Sequence, residues 1–193
     1  MINQRNWTVL LIGGPSGTGK SSIAYRIAEH YGVNVLEVDD VYIAVKMAST
    51  KKDFKAVHYW DSGVDWMDIE VSGNVNWLTD VGKEMMPVLT EIVNRHLEDR
   101  LPIIIEGDFI HPELAKSLQS EEVKSIFICE KDSNQIIENY QKREGGEPQT
   151  YRALISMEYG KRIKEYCDNN GGKVIESRPW DTALERVVEY LNN

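Results

Sequence analysis

The sequence is poor in cysteine, in positive charge and in long apolar runs. Its two cysteines, Cys129 and Cys167, lie far apart in 193 residues and form no CxxC or Cys/His pattern, which argues against a disulfide framework or a zinc site. The 22 Lys and Arg against 31 Asp and Glu give a net charge of −9, so we expect no nucleic-acid partner. No apolar stretch approaches the ~20 residues of a membrane span, and the N-terminus lacks a signal-peptide pattern. These absences favour a cytoplasmic protein with no membrane partner.

The remaining composition and pattern indicate a single α/β domain. With 41% hydrophobic and 27% charged residues, the chain suits one compact unit over residues 1–193, as a monomer or homodimer. Short apolar runs alternate with segments of helical periodicity, which predicts a parallel sheet with helices on both faces. The predicted strands cover residues 8–12, 33–38, 102–106, 123–129 and 173–175. In such sheets ligands bind beyond the carboxyl ends of the strands.

Residues 13–22 read GGPSGTGKSS and contain the pattern G-x-x-x-x-G-K-[ST] without a mismatch. Glycines let successive backbone N–H groups point at the phosphates of a nucleotide, Lys20 reaches the β- and γ-phosphates, and the Ser21 hydroxyl ligates Mg²⁺. The apolar run before the motif and the helical pattern after it place the loop at a helix N-terminus, which favours anions and argues against an ordinary glycine-rich turn. We therefore predict nucleotide contacts from nine residues: Gly14, Pro15, Ser16, Gly17, Thr18, Gly19, Lys20, Ser21 and Ser22.

Acidic residues follow two of the predicted strands. Asp39 and Asp40 follow the second strand, and Glu106 and Asp108 follow the third. A carboxylate there can take the proton of an acceptor hydroxyl or hold Mg²⁺, so we predict Asp39 as the catalytic carboxylate and Asp40 and Glu106, with Ser21, as the metal residues. The alternatives are a surface turn for the Asp pair and a helix cap for Asp108, and the division of roles within each pair stays open.

Two further basic regions are candidates for nucleotide contacts. Residues 142–162 combine several Lys and Arg with a Gly/Pro loop, which predicts a lid in which Arg143 and Arg152 stabilise charge on a transferring phosphoryl group. A solvated helical hairpin is the alternative. Near the C-terminus, Arg178 lies in the loop after the fifth strand and is predicted to flank the nucleotide base.

The segment 46–76 is predicted to bind the acceptor. Four lysines precede His58, Tyr59 and Trp60, and this pattern favours an anionic small molecule, although a charge run is also typical of a solvated face. The lysines are Lys46, Lys51, Lys52 and Lys55. Tryptophans at 60, 66 and 77 are candidates either for stacking on a substrate ring or for packing in the core.

Taken together, residues 13–21, 38–42 (VDDVY), 104–108 (IIEGD) and 178–180 (RPW) resemble the P-loop small-molecule kinases, and in particular the 2-phosphoglycerate-kinase-like proteins and the nucleoside and metabolite kinases. The resemblance implies a three-layer P-loop NTPase sandwich with sheet order 2-3-1-4-5 and a helical lid. It also implies transfer of the γ-phosphate of ATP, with Mg²⁺, to a hydroxyl or phosphate of a small metabolite or nucleoside. The VDDVY stretch looks like a motif of uridine and nicotinamide riboside kinases, which implies that Asp39 is the base. A nucleotide-binding ATPase or switch that acts on a protein partner is the alternative.

Overall fold

The computed structural model describes residues 4–192 and contains one five-stranded sheet in the order β2-β3-β1-β4-β5, with every pair of neighbours parallel. The strands are β1 (Val9–Gly13), β2 (Asn34–Glu37), β3 (Ile103–Glu106), β4 (Val123–Cys129) and β5 (Val174–Glu176). This arrangement confirms both the predicted α/β class and the order implied by the resemblance.

Seven α-helices connect and cover the strands of the described part of the chain. They are α1 (Lys20–Tyr31), α2 (Val38–Ala48), α3 (Val71–Glu98), α4 (Pro112–Leu118), α5 (Ser133–Glu144), α6 (Thr150–Asn170) and α7 (Ala183–Asn192). Three short 3₁₀ helices lie at Tyr59–Ser62, Trp66–Asp68 and Trp180–Thr182. Between residues 4 and 192, no helix combines the length and the apolar character that crossing a membrane requires.

The central strand β1 is buried along its whole length because helices pack on both faces of the sheet. Successive side chains of a strand point to opposite faces, and β1 follows this rule. Val9 and Leu11 join the core cluster that contains residues of α3, α4 and α6, whereas Leu10 and Ile12 join the cluster that contains residues of α1 and α7. The continuous apolar sequence of β1 therefore supplies two separate cores.

The second strand is shorter than the sequence predicts. It ends at Glu37, which pairs with Glu106 of β3, and α2 begins at the next residue. Asp39 and Asp40 consequently lie in the first turn of a helix, not in a turn after the strand. Carboxylates are favoured there because the N-terminal end of a helix carries partial positive charge.

The segment between α2 and α3 is held by side chains of the two flanking helices. Trp77 Nε1 donates to the Ala56 carbonyl over 2.9 Å, and the Tyr42 hydroxyl donates to the Val57 carbonyl over 3.1 Å. A carboxylate oxygen of Glu84 accepts from the backbone N–H groups of both Ala56 and Val57. The predicted acceptor segment is thereby fixed beside α3, which starts at Val71 and so includes the end of the predicted 46–76 range.

Candidate active site

The glycine-rich loop connects β1 to α1 and has a backbone that only glycine accommodates well. Gly19 caps α1 with φ of 89°, and the helix begins at Lys20. Gly14 has φ of 132°, and a Cβ there would lie 2.2 Å from the Ile128 carbonyl oxygen. These left-handed conformations turn the chain tightly, so that backbone N–H groups near the N-terminus of α1 can face an anion.

Three other elements pack against the loop and hold its shape. Asn139 of α5 donates to the Gly17 carbonyl over 2.7 Å. Trp180 lies over Gly19, where an added Cβ would approach its ring to 2.8 Å, and Gly160 of α6 faces Pro15. No local sequence pattern marks Asn139, because an amide in a polar helix resembles any exposed residue until the fold brings α5 to the loop.

Lys20 is buried and lies between two carboxylates that follow β3. Its Nζ is 2.7 Å from Asp108 Oδ1 and 3.8 Å from Glu106 Oε2. Burial by itself would lower the pKa of Lys20, but the charges of Asp108 and Glu106 outweigh it and raise that pKa above its ordinary value. The cap of α4 is His111, whose Nδ1 accepts from the Glu113 N–H, so the alternative assignment of Asp108 as a helix cap is wrong.

Glu106 has the features of a residue that binds a cation. It is 3% exposed, and within residues 4–192 its Oε2 has no hydrogen-bond partner. Burial raises the pKa of the Glu106 carboxyl, and the Lys20 ammonium and a hydrogen bond with Ser21 oppose the rise. A buried carboxylate oxygen beside a hydroxyl is a donor set that suits Mg²⁺, which prefers oxygen ligands and keeps several of its own waters.

A dedicated all-protein metal cage is absent from the described residues, since no group of three His, Cys, Asp or Glu there is arranged to hold an ion. Mg²⁺ bound with a nucleotide takes one or two protein carboxylates together with phosphate oxygens and water, so Ser21 and Glu106 fit that use. Asp40 does not join this cluster. It is exposed, and the carboxylate next to Lys20 belongs to Asp108.

Asp39, in the first turn of α2, lines the same cavity as Pro15 and Ser16 of the glycine loop. Although the residue as a whole is exposed, desolvation raises the pKa of its carboxyl, the Asp108 charge adds to the rise, and the charges of Lys20 and Arg143 oppose it. A carboxylate whose pKa is moved towards neutrality is better matched to proton transfer than an ordinary aspartate. The structure therefore brings Asp39, Asp108 and Lys20 to one place.

The two predicted lid arginines meet at Glu144, the last residue of α5. Arg152 Nη1 lies 3.0 Å and 2.9 Å from the two oxygens of Glu144, and Arg143 Nε lies 3.0 Å from one of them. Hydrogen bonds from Gln149 and Arg143 lower the pKa of Glu144 to about 2. Arg152 also lies over the buried ring of Tyr140, 4.3 Å from its centroid. The loop of residues 145–149 thus joins two helices whose arginines share one acidic partner.

Arg178 lies beside the loop that packs on the phosphate cradle. Its Nε is 3.4 Å from Glu130 Oε2, and its guanidinium carbon is 6.0 Å from the centroid of Trp180, the residue that covers Gly19. Glu130 also accepts from the Ser177 hydroxyl over 2.6 Å. The predicted position of Arg178 near the nucleotide is consistent with this placement, and its role in binding the base stays a prediction.

A cavity of about 550 Å³ opens beside the cradle, a volume typical of small-molecule sites. Pro15 and Ser16 of the glycine loop line one part of it together with Asp39 and Asp108. Its other lining residues are mainly aromatic and aliphatic side chains. These include Tyr42, Ile43, Trp60, Trp66, Trp77, Leu78, Phe109, Tyr140, Ile155 and Tyr159.

The lysines of the predicted acceptor segment are not part of the lining of this cavity. Lys46 pairs with Asp61 over 2.8 Å, and Lys51, Lys52 and Lys55 are exposed. His58 is buried between Asp61, 2.7 Å from its Nδ1, and the Ser49 hydroxyl, 3.1 Å from its Nε2. The lysine run is therefore mostly a solvated face, and the tryptophans carry the contact with the cavity.

Comparison with known proteins agrees with this architecture. The family model described as cytidylate kinase matches residues 10–178. Among curated proteins, the chain is similar to a 2-phosphoglycerate kinase from Methanococcus vannielii, with 29% identity over 221 residues that cover 100% of this chain and 66% of the relative. The chain thus spans just under two thirds of the length of that relative.

Two solved structures show the same fold at low sequence identity. A shikimate kinase from Acinetobacter baumannii, in complex with shikimate, has a TM-score of 0.60 and 14% identity, covering 98% of this chain and 96% of its own. A gluconokinase from Sinorhizobium meliloti 1021 has a TM-score of 0.56 and 14% identity, covering 98% and 94%. These similarities confirm the predicted fold class.

Proposed function

The chain belongs to the cytidylate kinase family, and from this premise we propose that it transfers the γ-phosphate of Mg-ATP to a hydroxyl group of a small acceptor in the cytoplasm. One observation carries the proposal. Pro15 and Ser16 of the phosphate cradle line the cavity together with Asp39 and Asp108, and Asp108 pairs with the Lys20 ammonium. A donor phosphate and an acceptor hydroxyl bound in these two places would be adjacent.

The loop residues 14–22 would hold the triphosphate of ATP. Backbone N–H groups at the start of α1 donate to phosphate oxygens, and Lys20 adds its charge at the β- and γ-phosphates. Because Lys20 is already held near the loop by Asp108 and Glu106, little conformational entropy is lost when it binds a phosphate. We assign Arg178 to the edge of the nucleotide site beside Trp180.

Asp39 would act on the acceptor. The acceptor oxygen attacks the γ-phosphorus, the bond from that phosphorus to the β–γ bridging oxygen breaks, ADP leaves, and the hydroxyl proton passes to the Asp39 carboxylate. Arg143 and Arg152 would donate to the oxygens of the transferring group after they leave Glu144. The protein's contribution is mainly positioning and electrostatic stabilisation, as in other phosphoryl transfers.

Ser21 and Glu106 are the residues that would hold Mg²⁺, and we propose Asp108 instead of Asp40 as the second acidic residue near the phosphates, because Asp108 is the carboxylate next to Lys20. A bound Mg²⁺ would neutralise charge that develops on the phosphate oxygens. Glu106 is suited to this position because its Oε2, which has no hydrogen-bond partner among residues 4–192, is desolvated and therefore gains more from a cation than an exposed carboxylate does.

The test compares two carboxylates in the same helical turn. Asp39→Asn should lower kcat by roughly 10²–10⁴-fold, the usual contribution of a general base, while ATP binding measured by calorimetry stays within about twofold. Asp40→Asn is the matched control, since it removes the same charge from the exposed neighbour, and should retain wild-type kcat. A defect in Asp40→Asn with normal turnover in Asp39→Asn would reverse the assignment.

The alternative activity predicts a different dependence on substrates. A kinase consumes ATP faster when a small hydroxyl compound is added, and the phosphate appears on that compound. A nucleotide switch or ATPase would consume ATP at a rate that changes only with a macromolecular partner and would release inorganic phosphate. Coupled ADP and phosphate assays on the full chain, with and without a panel of small acceptors, distinguish the two.

A further inference from the structure

The composition of the cavity beside the phosphate cradle indicates what kind of acceptor it takes. We infer that the acceptor is a planar aromatic compound that carries an alcohol hydroxyl and has neither a phosphate nor a carboxylate group. This inference rests on the proposed phosphotransfer and narrows it to a substrate class. It departs from the anionic acceptor that the lysine run favours, because those lysines lie outside the cavity lining.

One wall of the cavity is a connected group of rings. The ring centroids of Trp60 and Trp77 are 5.0 Å apart, those of Trp77 and Phe109 are 5.8 Å apart, and those of Tyr42 and Phe109 are 4.9 Å apart. All four residues line the cavity. Aromatic side chains bind flat rings by stacked or edge-to-face contact over a large apolar area, so this wall favours a planar ligand.

The polar atoms of two of these rings are already used by the protein. Trp77 Nε1 donates to the Ala56 carbonyl over 2.9 Å, and the Tyr42 hydroxyl donates to the Val57 carbonyl over 3.1 Å. A ligand therefore meets ring carbon at these positions. A sugar acid or a phosphoglycerate has hydroxyl, carboxylate or phosphate groups along its length, and these would lose hydration here without gaining partners.

A second wall is built from Trp66, which belongs to a different segment. Its ring stacks on that of Tyr151 at the start of α6, with centroids 5.9 Å apart. The buried amide of Asn74 donates to the Trp66 carbonyl over 2.9 Å and to the Ile69 carbonyl over 3.1 Å. Trp66 is 37% exposed, and its backbone is fixed by the hydrogen bond from Asn74. A fixed backbone with an exposed ring is typical of a contact surface and not of a core residue.

The charge of the lining disfavours an anion. Among residues 4–192, the charged side chains that line the cavity are Asp39, Asp108 and Arg152. Asp108 pairs with Lys20, and Arg152 is assigned above to the oxygens of the transferring phosphoryl group, so within the described residues the cavity lining leaves the acceptor the negative charge of Asp39 and no cation of its own. A phosphate or carboxylate on the acceptor would face Asp39 with nothing to neutralise it.

The positions of these groups fit a molecule with a ring at one end and a hydroxyl at the other. Asp39 and Tyr42 are three residues apart in α2 and so share one face of that helix. A ring that contacts the Tyr42 side of the wall would carry its hydroxyl towards Asp39 and the loop residues Pro15 and Ser16. Because Asp39 is negatively charged, the acceptor ring can carry a positive charge as well as be neutral.

The experiment measures kcat/KM with Mg-ATP for acceptors that separate ring from charge. Cytidine and CMP share one ring and differ in a phosphate, pyridoxine offers another neutral ring with hydroxyls, and 2-phosphoglycerate is an anion without a ring. We expect cytidine or pyridoxine to exceed both CMP and 2-phosphoglycerate at least tenfold. If CMP or 2-phosphoglycerate is the best acceptor, the inference is overturned and the kinase proposal stands. Transfer to none of the four contradicts both.

Variants test the aromatic wall separately from the chemistry. Trp66→Leu should raise KM for the aromatic acceptor about tenfold and leave KM for ATP within twofold, and Trp66→Phe, which keeps a ring, should restore most of the affinity. The control is Lys51→Ala/Lys52→Ala, two exposed lysines outside the cavity, which should change neither KM. A raised acceptor KM in the lysine variant, or an unchanged one in Trp66→Leu, would contradict the inference.

Discussion

Lys20 Nζ lies 2.7 Å from Asp108 Oδ1, in a site where the Lys20 side chain is only 8% exposed. The ion pair and the nearby Glu106 raise the pKa of Lys20 above its ordinary value of 10.5. A raised lysine pKa contributes stability that is fully present below pH 10.5 and is lost as the pH rises through the higher folded value. Lys20 is therefore charged across the whole neutral range.

Glu106→Gln should stabilise the fold and weaken catalysis. Because burial raises the pKa of Glu106 above 4.5, ionisation of this group costs stability in the folded state at neutral pH. We expect a higher Tm than wild type at pH 7, a difference that shrinks as the pH falls through the folded pKa of Glu106 towards 4.5, and kcat reduced at least about tenfold. Thermal unfolding between pH 4.5 and 8 measures the first effect.

The control for that change is Glu121→Gln, which removes an exposed carboxylate before β4 and should leave both Tm and kcat near wild type. A lower Tm for Glu106→Gln at pH 7 would show that its pairing with Lys20 outweighs the desolvation of its carboxylate.

Glu144→Gln should release Arg143 and Arg152, the two arginines of the predicted lid. Glu144 accepts from Arg143 and Arg152, so phosphate oxygens that bind these arginines, as proposed above, would have to compete with it for both side chains. We expect KM for ATP to fall about two- to fivefold, which corresponds to about 0.4–1 kcal/mol and is the size of an exposed ion pair. Steady-state kinetics at saturating acceptor measure it.

The competition by Glu144 should not depend on pH in the working range. With a pKa lowered from 4.5 to about 2, Glu144 stays ionised in the folded protein above pH 4, and its contribution to stability is lost as the pH falls from about 4.5 to about 2. A rise in KM for ATP in Glu144→Gln would mean instead that Glu144 holds the arginines in their productive positions. In that case Gln149→Ala, which removes another donor to the Glu144 carboxylate, should also raise KM for ATP.

Gly17→Ala and Gly63→Ala form a matched pair that separates backbone strain from steric contact. Both glycines have φ of 79°, but a Cβ on Gly17 would lie 2.8 Å from Ile136 Cγ2, whereas one on Gly63 would meet nothing within 4 Å. Each variant should lose about 1–2 kcal/mol for the left-handed conformation, and Gly17→Ala about 1–3 kcal/mol more for the overlap. Urea unfolding measures the free energies, and equal losses would contradict the packing of α5 on the loop.

The central part of the fold was predictable because its signals are local. Buried parallel strands have continuous apolar sequences, so β1, β3 and β4 are recognisable within a residue or two. The second strand was harder, because it lies at the edge of the sheet with partly exposed side chains, and nothing in its sequence marks Glu37 as its end. Because the strand ends at Glu37, Asp39 and Asp40 lie in the first turn of α2, and their side chains are separated.

Parts of the site were predictable for a different reason. The glycine loop specifies its own backbone conformation, and Lys20 and Ser21 follow at fixed positions in the first turn of α1. Glu106 was predicted separately, from its place at the end of the third strand. Other partners of the loop could not be found from the sequence, because no local pattern marks Asp108 as the ion-pair partner of Lys20 or places Asn139 and Trp180 against the loop.

The sequence by itself determined the phosphate cradle, the class of the sheet and the surplus of negative charge, because each depends on neighbouring residues or on composition. Only the tertiary structure decided which carboxylate meets Lys20, that Glu144 holds both lid arginines, and that tryptophans rather than lysines line the cavity. These are contacts between segments separated by tens of residues. Their energies depend on distance and burial, which exist only once the helices have packed on the sheet.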